Sequence, residues 1–251
     1  HRKAAEGVYG GKLYNETIGQ RWLQKQPAWE PEAGLSLYRR LLAAQPDQSV
    51  TIGAIGTLTA LSELLDSPPD EHSALGGEAL VRAKVAHLVT MAEAAYPEGS
   101  DCFNWAMDRP ATERVVNDWP GRLTVSRWGA EVLTGGRFST LALPGHPAGE
   151  AYAIHRGGRG VDRSSWDQLA VLYAVRGDTE LLAAQGGFTL RFEADTGRHC
   201  FSLRLAGQPE RCHLQPLADW SRMAEVVEKL MVEALGQSQG AGCVSGPLRR
   251  G

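Results

Sequence analysis

Polar residues able to bind a sugar or a cation are concentrated in one loop of the chain. An asparagine side chain offers a donor and an acceptor to sugar hydroxyls, and a carboxylate accepts hydroxyl hydrogens or binds a hard cation. The loop after Met91 holds Glu93, Glu98, Asp101, Asn104 and Asp108. The same residues are typical of a solvated acidic loop in which Asp108 caps a helix starting near Pro110. Because loops are commonly polar, composition alone favours the solvated loop.

A second candidate is Asp167, which lies in the first turn of an apolar helix starting at Trp166. The N-terminus of a helix stabilises a negative charge, so a carboxylate there could serve a binding site. The alternative is an ordinary helix-start acid or a cap beside Ser164 and Ser165. The residues themselves leave both interpretations open.

Several known site patterns do not occur in the sequence. It contains no GxGxxG after a strand, no Walker lysine and no GxSxG, which gives no support to dinucleotide, P-loop or serine-hydrolase sites. No histidine stands in an HExxH pair, and no cysteine has zinc-finger spacing. Cys200 and Cys212 flank a predicted hairpin and could pair in an oxidising compartment, but reduced thiols are the favoured interpretation.

The charge and hydropathy of the chain argue against two classes of partner. The formal net charge of -3 argues against a nucleic-acid backbone. No apolar run approaches the roughly 20 residues that a membrane span requires. We therefore expect a cytoplasmic protein that binds neither nucleic acid nor a membrane.

The periodicity of apolar residues predicts an α/β protein with an open, mostly parallel sheet flanked by helices. Strands are predicted at residues 50–55, 85–91 and 123–125, and helices at 32–44, 60–65, 110–116, 147–154 and 166–175. A small β-hairpin over 187–214 and a C-terminal amphipathic helix over 220–235 follow. We predict a single domain over residues 1–235, with residues 1–20 as a loop and residues 236–251 as a disordered tail.

Three segments in this order resemble motifs of the inosine/uridine-preferring nucleoside hydrolases. Residues 50–59 (VTIGAIGTLT) resemble a strand followed by the family's G-x-L-T-N element. Residues 91–108 resemble a strand end followed by an aromatic-Asn pair and an Asp-Pro element, and residues 165–170 (SWDQLA) resemble a late helix start. The likeness runs from about Arg39 to Met231 and implies a nucleoside-hydrolase-like fold that is incomplete at its N-terminus.

The resemblance also implies a set of site residues. Members of the family are calcium-dependent N-ribosyl hydrolases. By position, Asp167 and the backbone carbonyl of Ile55 correspond to calcium ligands. Asn104 would bind the ribose hydroxyls, Met91 would line the sugar pocket, and Trp166 would stack on the base.

The sequence departs from the family's pattern at its catalytic centre. The N-terminal aspartate signature, which supplies the general base and most calcium ligands, does not occur. Cys102 stands where a glutamate is usual, so Asp101 is the candidate to replace it in substrate binding, and Ala60 replaces the asparagine of G-x-L-T-N. The catalytic residues are therefore unknown, and a lone aspartate and one carbonyl are few ligands for calcium.

Three functions follow from these observations. The lead hypothesis is hydrolysis of the N-glycosidic bond of ribonucleosides to ribose and free base, with little turnover expected. The alternative is an inactive remnant that binds a ribosyl ligand or a protein partner. The third is a different enzyme with Glu98 or Asp101 as its base, which no recognisable acid-base pair supports.

The absence of the family's first strand also predicts association. Apolar faces near residues 50–55 and 85–91 would be left exposed or would pair with another chain. The expected partners are thus a ribonucleoside and, if the gap is filled by a second copy, a homo-oligomer.

Overall fold

The computed structural model describes residues 14–25, 32–92, 95–100 and 103–240. Its helices and strands alternate along much of the chain, with a short 3-10 turn at Ala106–Asp108. In chain order they are α1 (Tyr14–Lys25), α2 (Gly34–Ala43), β1 (Val50–Ala54), α3 (Thr59–Asp66), α4 (Gly77–Lys84), β2 (Val85–Met91), β3 (Glu98–Ser100), α5 (Arg109–Asp118), β4 (Arg122–Ser126), β5 (Leu133–Thr134), α6 (Gly136–Leu141), α7 (Pro147–Arg156), β6 (Arg163–Ser164), α8 (Trp166–Arg176), β7 (Leu182–Phe192), β8 (Arg198–Leu203), β9 (Arg211–Pro216) and α9 (Trp220–Gly240).

The described residues fall into two compact units. Those of the first unit lie within Ala28–Ala130 and Trp166–Asp219, and those of the second lie within Tyr9–Pro27, Glu131–Ser165 and Trp220–Gly251. The single domain expected over residues 1–235 stays a prediction. Within the described part of the chain, no helix combines the length and apolar character needed to cross a membrane.

The first unit is built on a seven-stranded sheet with the order β1-β2-β4-β9-β7-β8-β3. The neighbouring strands β1, β2, β4 and β9 are parallel, whereas β7, β8 and β3 add antiparallel pairs. This mostly parallel sheet with flanking helices confirms the predicted fold class. The predicted exposure of residues 85–91 is wrong, because β2 lies between β1 and β4 and pairs with both.

Side-chain alternation divides the sheet into two covered faces. Leu88 pairs in register with Ile52 and Leu123, and these three buried residues belong to the main apolar core, which includes residues from α2, α3, α4 and α5. On the opposite face, α8 packs against β1, β2 and β4. Strands covered on both faces are nearly continuously apolar, as is the case for β2.

A buried arginine joins α2 to the segment after α3. Arg39 is 2% exposed, and its guanidinium contacts both carboxylate oxygens of Asp70 at 2.6 and 2.9 Å. It also donates to the Ser67 hydroxyl at 2.8 Å and to the carbonyls of Ser73 and Leu75 at 3.2 and 3.0 Å. The hydrogen bonds from Arg39 lower the pKa of Asp70 to about 2. Arg39 and Asp70 therefore form a structural ion pair whose polar atoms have hydrogen-bond partners.

The second unit contains α1, α6, α7, α9 and the two-stranded β5-β6 ladder. The Glu228 carboxylate of α9 accepts from the backbone N–H groups of Gly135 and Phe138 at the start of α6. Gly135 has φ +100°, and a Cβ there would overlap the Tyr152 ring, so only glycine fits. Two predictions are corrected here: α1 covers part of the expected loop, and α9 continues through Gly240 into the expected tail.

Candidate functional site

The carboxyl ends of the parallel strands meet at one edge of the sheet in the first unit. Ala54 pairs with Thr90, and Met91 pairs with Ser126, so β1, β2 and β4 end at the same level. β9 continues the parallel arrangement beside β4. Ligands of open α/β sheets bind outside these strand ends, so this carboxyl edge is where a site is expected.

Two of the predicted site residues are brought together at the carboxyl edge. The Asn104 side-chain nitrogen lies 3.2 Å from the carbonyl oxygen and 3.1 Å from the sulfur of Met91. Because a carbonyl oxygen can only accept, this contact fixes which way the amide faces and identifies Oδ1 as its acceptor atom. Asn104 is 6% exposed, which makes its orientation rigid.

The other predicted residues have different placements. Ile55 directly follows β1 and is 43% exposed. Trp166 and Asp167 form the first turn of α8 and are both half-buried. The contact of α8 with β1, β2 and β4 places this helix against the strands that end at the carboxyl edge. Asp101 lies outside the described residues, so its predicted role in substrate binding stays a prediction.

The described residues do not suit the calcium ion that the resemblance implies. Calcium takes 6–8 oxygen ligands, and the correspondence supplies one carboxylate, from Asp167, and one carbonyl, from Ile55. In the described ranges no group of three or more His, Cys, Asp or Glu side chains is positioned to hold a metal ion. We therefore derive no chemical step through calcium.

The motif residues Thr59 and Asp108 meet in a structural contact. The Thr59 hydroxyl donates to the Asp108 carboxylate at 2.5 Å, and the same carboxylate accepts from the Ala111 backbone N–H at 3.3 Å. Asp108 is thus the N-cap of α5, as the second interpretation of the acidic loop supposed. Glu98, the base of the third hypothesis, is exposed in β3 at the opposite end of the sheet from β1.

An arginine-tryptophan pair follows β4 at the carboxyl edge. The Arg127 guanidinium carbon lies 4.5 Å from the centroid of the Trp128 ring, a cation-π geometry. The indole N–H of Trp128 donates to the Leu214 carbonyl of β9 at 2.6 Å. The sequence predictions missed both residues, although they lie shortly after the predicted strand at 123–125 and ligands of open α/β sheets bind at strand ends.

A histidine-tyrosine stack adjoins this pair. The rings of His213 and Tyr96 lie 3.9 Å apart at 16°, and Tyr96 is 39% exposed whereas His213 is 3% exposed. The Gln215 side-chain nitrogen lies 2.9 Å from Nδ1 of His213. Burial lowers the pKa of His213, and the positive charge of Arg127 lowers it further. The ring is therefore neutral near pH 7.

Polar groups also lie beneath α8, on the other face of the sheet. The His87 ring is 2.8 Å from the Thr124 hydroxyl and makes an edge contact with Tyr173. Burial lowers the pKa of His87 to about 4, and burial raises the pKa of the Cys212 thiol. Cys200 and Cys212 are both free thiols in the structure, and β7 lies between the strands that carry them.

Comparison with known proteins supports the fold. No protein-family model matches the chain, and no curated protein matches it. Two solved structures that match are those of the effector protein XOO4466 and of the type III effector protein XopQ complexed with adenosine diphosphate ribose. Each is 17% identical with a TM-score of 0.54, and the match covers 80% of this chain.

The matches extend over only part of the two similar proteins. The matched region spans 64% of the effector protein XOO4466 and 65% of XopQ, slightly under two thirds of each. At this identity the likeness shows the fold alone. The fold is nucleoside-hydrolase-like, as the resemblance implied, whereas membership of the inosine/uridine-preferring family is not shown.

Proposed function

We propose that this chain binds a ribose-containing small molecule at the carboxyl edge of its sheet and does not hydrolyse it. The observation that carries the proposal is the Asn104 amide, held rigidly by Met91 at the end of β2. A fixed amide acceptor beside a strand end suits a sugar hydroxyl, which donates one hydrogen bond and needs a defined direction.

The fold comparison supports a ribosyl ligand. One of the structurally similar proteins, XopQ, was crystallised with adenosine diphosphate ribose. The aromatic rings of Trp128 and Tyr96 add stacking surfaces at the same edge, and base stacking on aromatic side chains contributes about 1–3 kcal/mol per base.

The absence of turnover is proposed from the chemistry of the described residues. Hydrolysis needs a base positioned to activate water. Asp108 is occupied as a helix cap that also holds Thr59, and the neutral His213 accepts a hydrogen bond on Nδ1 from the Gln215 amide. Asp167 is the remaining carboxylate that the resemblance assigns to the site, and one acid does not make the acid-base pair that the reaction requires.

The proposal is tested by calorimetric titration of the full chain with adenosine diphosphate ribose and with adenosine. We expect the wild type to bind. Asn104→Ala should lose at least about tenfold in affinity, because the sugar hydroxyl loses its hydrogen-bond acceptor. Asn117→Ala is the matched control. Asn117 also makes two hydrogen bonds, with the backbone of Phe192, but it does so on α5, away from the carboxyl edge.

Two results would contradict the proposal. The first is that the wild type binds neither compound, or that both asparagine variants bind as the wild type does. The second concerns turnover: release of free base from inosine or uridine, lost in Asp167→Ala, would show that the chain is a hydrolase. The binding and turnover assays therefore separate a ribosyl-binding protein from an enzyme.

A further inference from the structure

Arg127 is one of two half-buried arginines of the first unit, with Arg109, that lack a carboxylate partner among the described residues. Arg39 and Arg114 pair with carboxylates within 2.8 Å, and Arg211 donates to the carbonyls of Gly121 and Trp119. Among the residues that the structure describes, Arg127 has no carboxylate within 4.0 Å, and its contact is the Trp128 ring. A guanidinium held half-buried without an anion is a group that an anionic ligand would stabilise.

The Trp128 ring gives the guanidinium a defined position. The hydrogen bond from the indole to Leu214 anchors the ring to β9, and the cation lies over that ring. A cation-π contact does not use the N–H donors of the guanidinium. These donors have the fork geometry that binds two oxygens of one phosphate.

His213 supplies an independent observation at the same place. The Gln215 amide nitrogen can only donate, so Nδ1 of the neutral ring accepts and Nε2 carries the hydrogen. Nε2 is buried and has no hydrogen-bond partner within the described structure. His213 pairs with Val125 of β4, and the Trp128 indole reaches the carbonyl of the next residue, Leu214, so His213 and the Arg127-Trp128 pair lie at the same end of β4 and β9. Two neighbouring donor groups that have no acceptor among the described residues favour an oxygen-rich anion.

We infer that Arg127 binds a phosphate of the ligand, so that the site selects phosphorylated ribosyl compounds over neutral nucleosides. The inference rests on the proposed function and narrows it to one chemical class. In this arrangement the sugar lies at Asn104 and the phosphate at Arg127, both along the carboxyl edge. The fork of the guanidinium provides the selectivity, since a neutral nucleoside gives it no charge to pair with.

The test is a titration of wild type, Arg127→Gln and Arg127→Lys with adenosine diphosphate ribose, ribose 5-phosphate and adenosine. We expect the wild type to bind the two phosphorylated compounds at least about tenfold more tightly than adenosine. Arg127→Gln removes that preference, because it weakens binding of the phosphorylated compounds much more than binding of adenosine, and Arg127→Lys retains part of it. Binding of the phosphorylated compounds weakens with added salt in the wild type and less so in Arg127→Gln.

The matched control is Arg191→Gln, which removes the same charge from an exposed position on β7. It should bind all three compounds as the wild type does. Equal affinity for adenosine and adenosine diphosphate ribose, or a preference that Arg127→Gln retains, would overturn the inference and leave ribosyl binding standing. If the wild type binds none of the three compounds, both the inference and the proposed function are wrong.

Discussion

Replacement of Arg39 by methionine should destabilise the first unit strongly. The change leaves Asp70 without its cation and removes the donors to Ser67, Ser73 and Leu75. Removal of one partner from a buried ion pair is destabilising by about 3–5 kcal/mol. The lower end applies because Asp70 is 22% exposed and keeps hydrogen bonds from the backbone N–H groups of His72 and Ser73. We expect a decrease of roughly 6–12 °C in the midpoint of thermal unfolding.

The neighbouring residue Arg40 provides the matched control. It lies on the same helix and pairs with Glu32 at 2.7 Å, but its side chain is 50% exposed. Exposed ion pairs contribute little, so Arg40→Met should shift the midpoint by no more than about 2–4 °C. Thermal unfolding followed by circular dichroism measures both variants. Equal shifts for the two would refute the reasoning that burial and the additional hydrogen bonds, rather than charge alone, make Arg39 important.

Two further predictions concern protons and metal ions. The pKa of His87 lies at about 4 in the folded chain, below its ordinary value of 6.5, so the unfolded chain takes up the proton first as pH falls. The free energy of unfolding should therefore decline between pH 6.5 and 4, and it should decline less steeply for His87→Gln. Urea unfolding at several pH values measures both proteins. Parallel plots of unfolding free energy against pH would contradict this prediction. Calcium should leave the thermal midpoint of wild type and Asp167→Ala unchanged, and a rise confined to the wild type would reveal a calcium site.

The sequence predicted well the elements that local periodicity defines. β2 begins and ends at the predicted residues, Val85 and Met91, because a strand buried on both faces is an apolar run that contrasts with its flanks. α5 was predicted through Pro110, which suits the first turn of a helix. The local sequence of these elements is sufficient to predict them, so the positions of neighbouring elements are not needed.

The elements that were missed depend on contacts made elsewhere in the chain. β3 has the sequence Glu-Gly-Ser and is a strand because it pairs with β8. α6 is six residues long, and its start is capped by Glu228 from α9. No local sequence pattern predicts such elements, because residues distant in the chain supply the groups that stabilise them.

The same distinction applies to the candidate site. Asn104 and Met91 were predicted together because the family motif places them in one short segment, and the structure joins them. The contact of Trp128 with Leu214 joins residues 86 positions apart. That contact follows from the placement of β9 beside β4, and this strand order was not readable from either segment.

The contact between Thr59 and Asp108 bears on why the residues of a motif can be retained in a fold. Both residues belong to the segments that resemble a hydrolase, yet they connect the start of α3 to the start of α5. Mutations at these positions would be opposed by selection for folding, whatever ligand the chain binds. Motif residues can thus be retained because they join one helix start to another, so a motif by itself does not establish an activity.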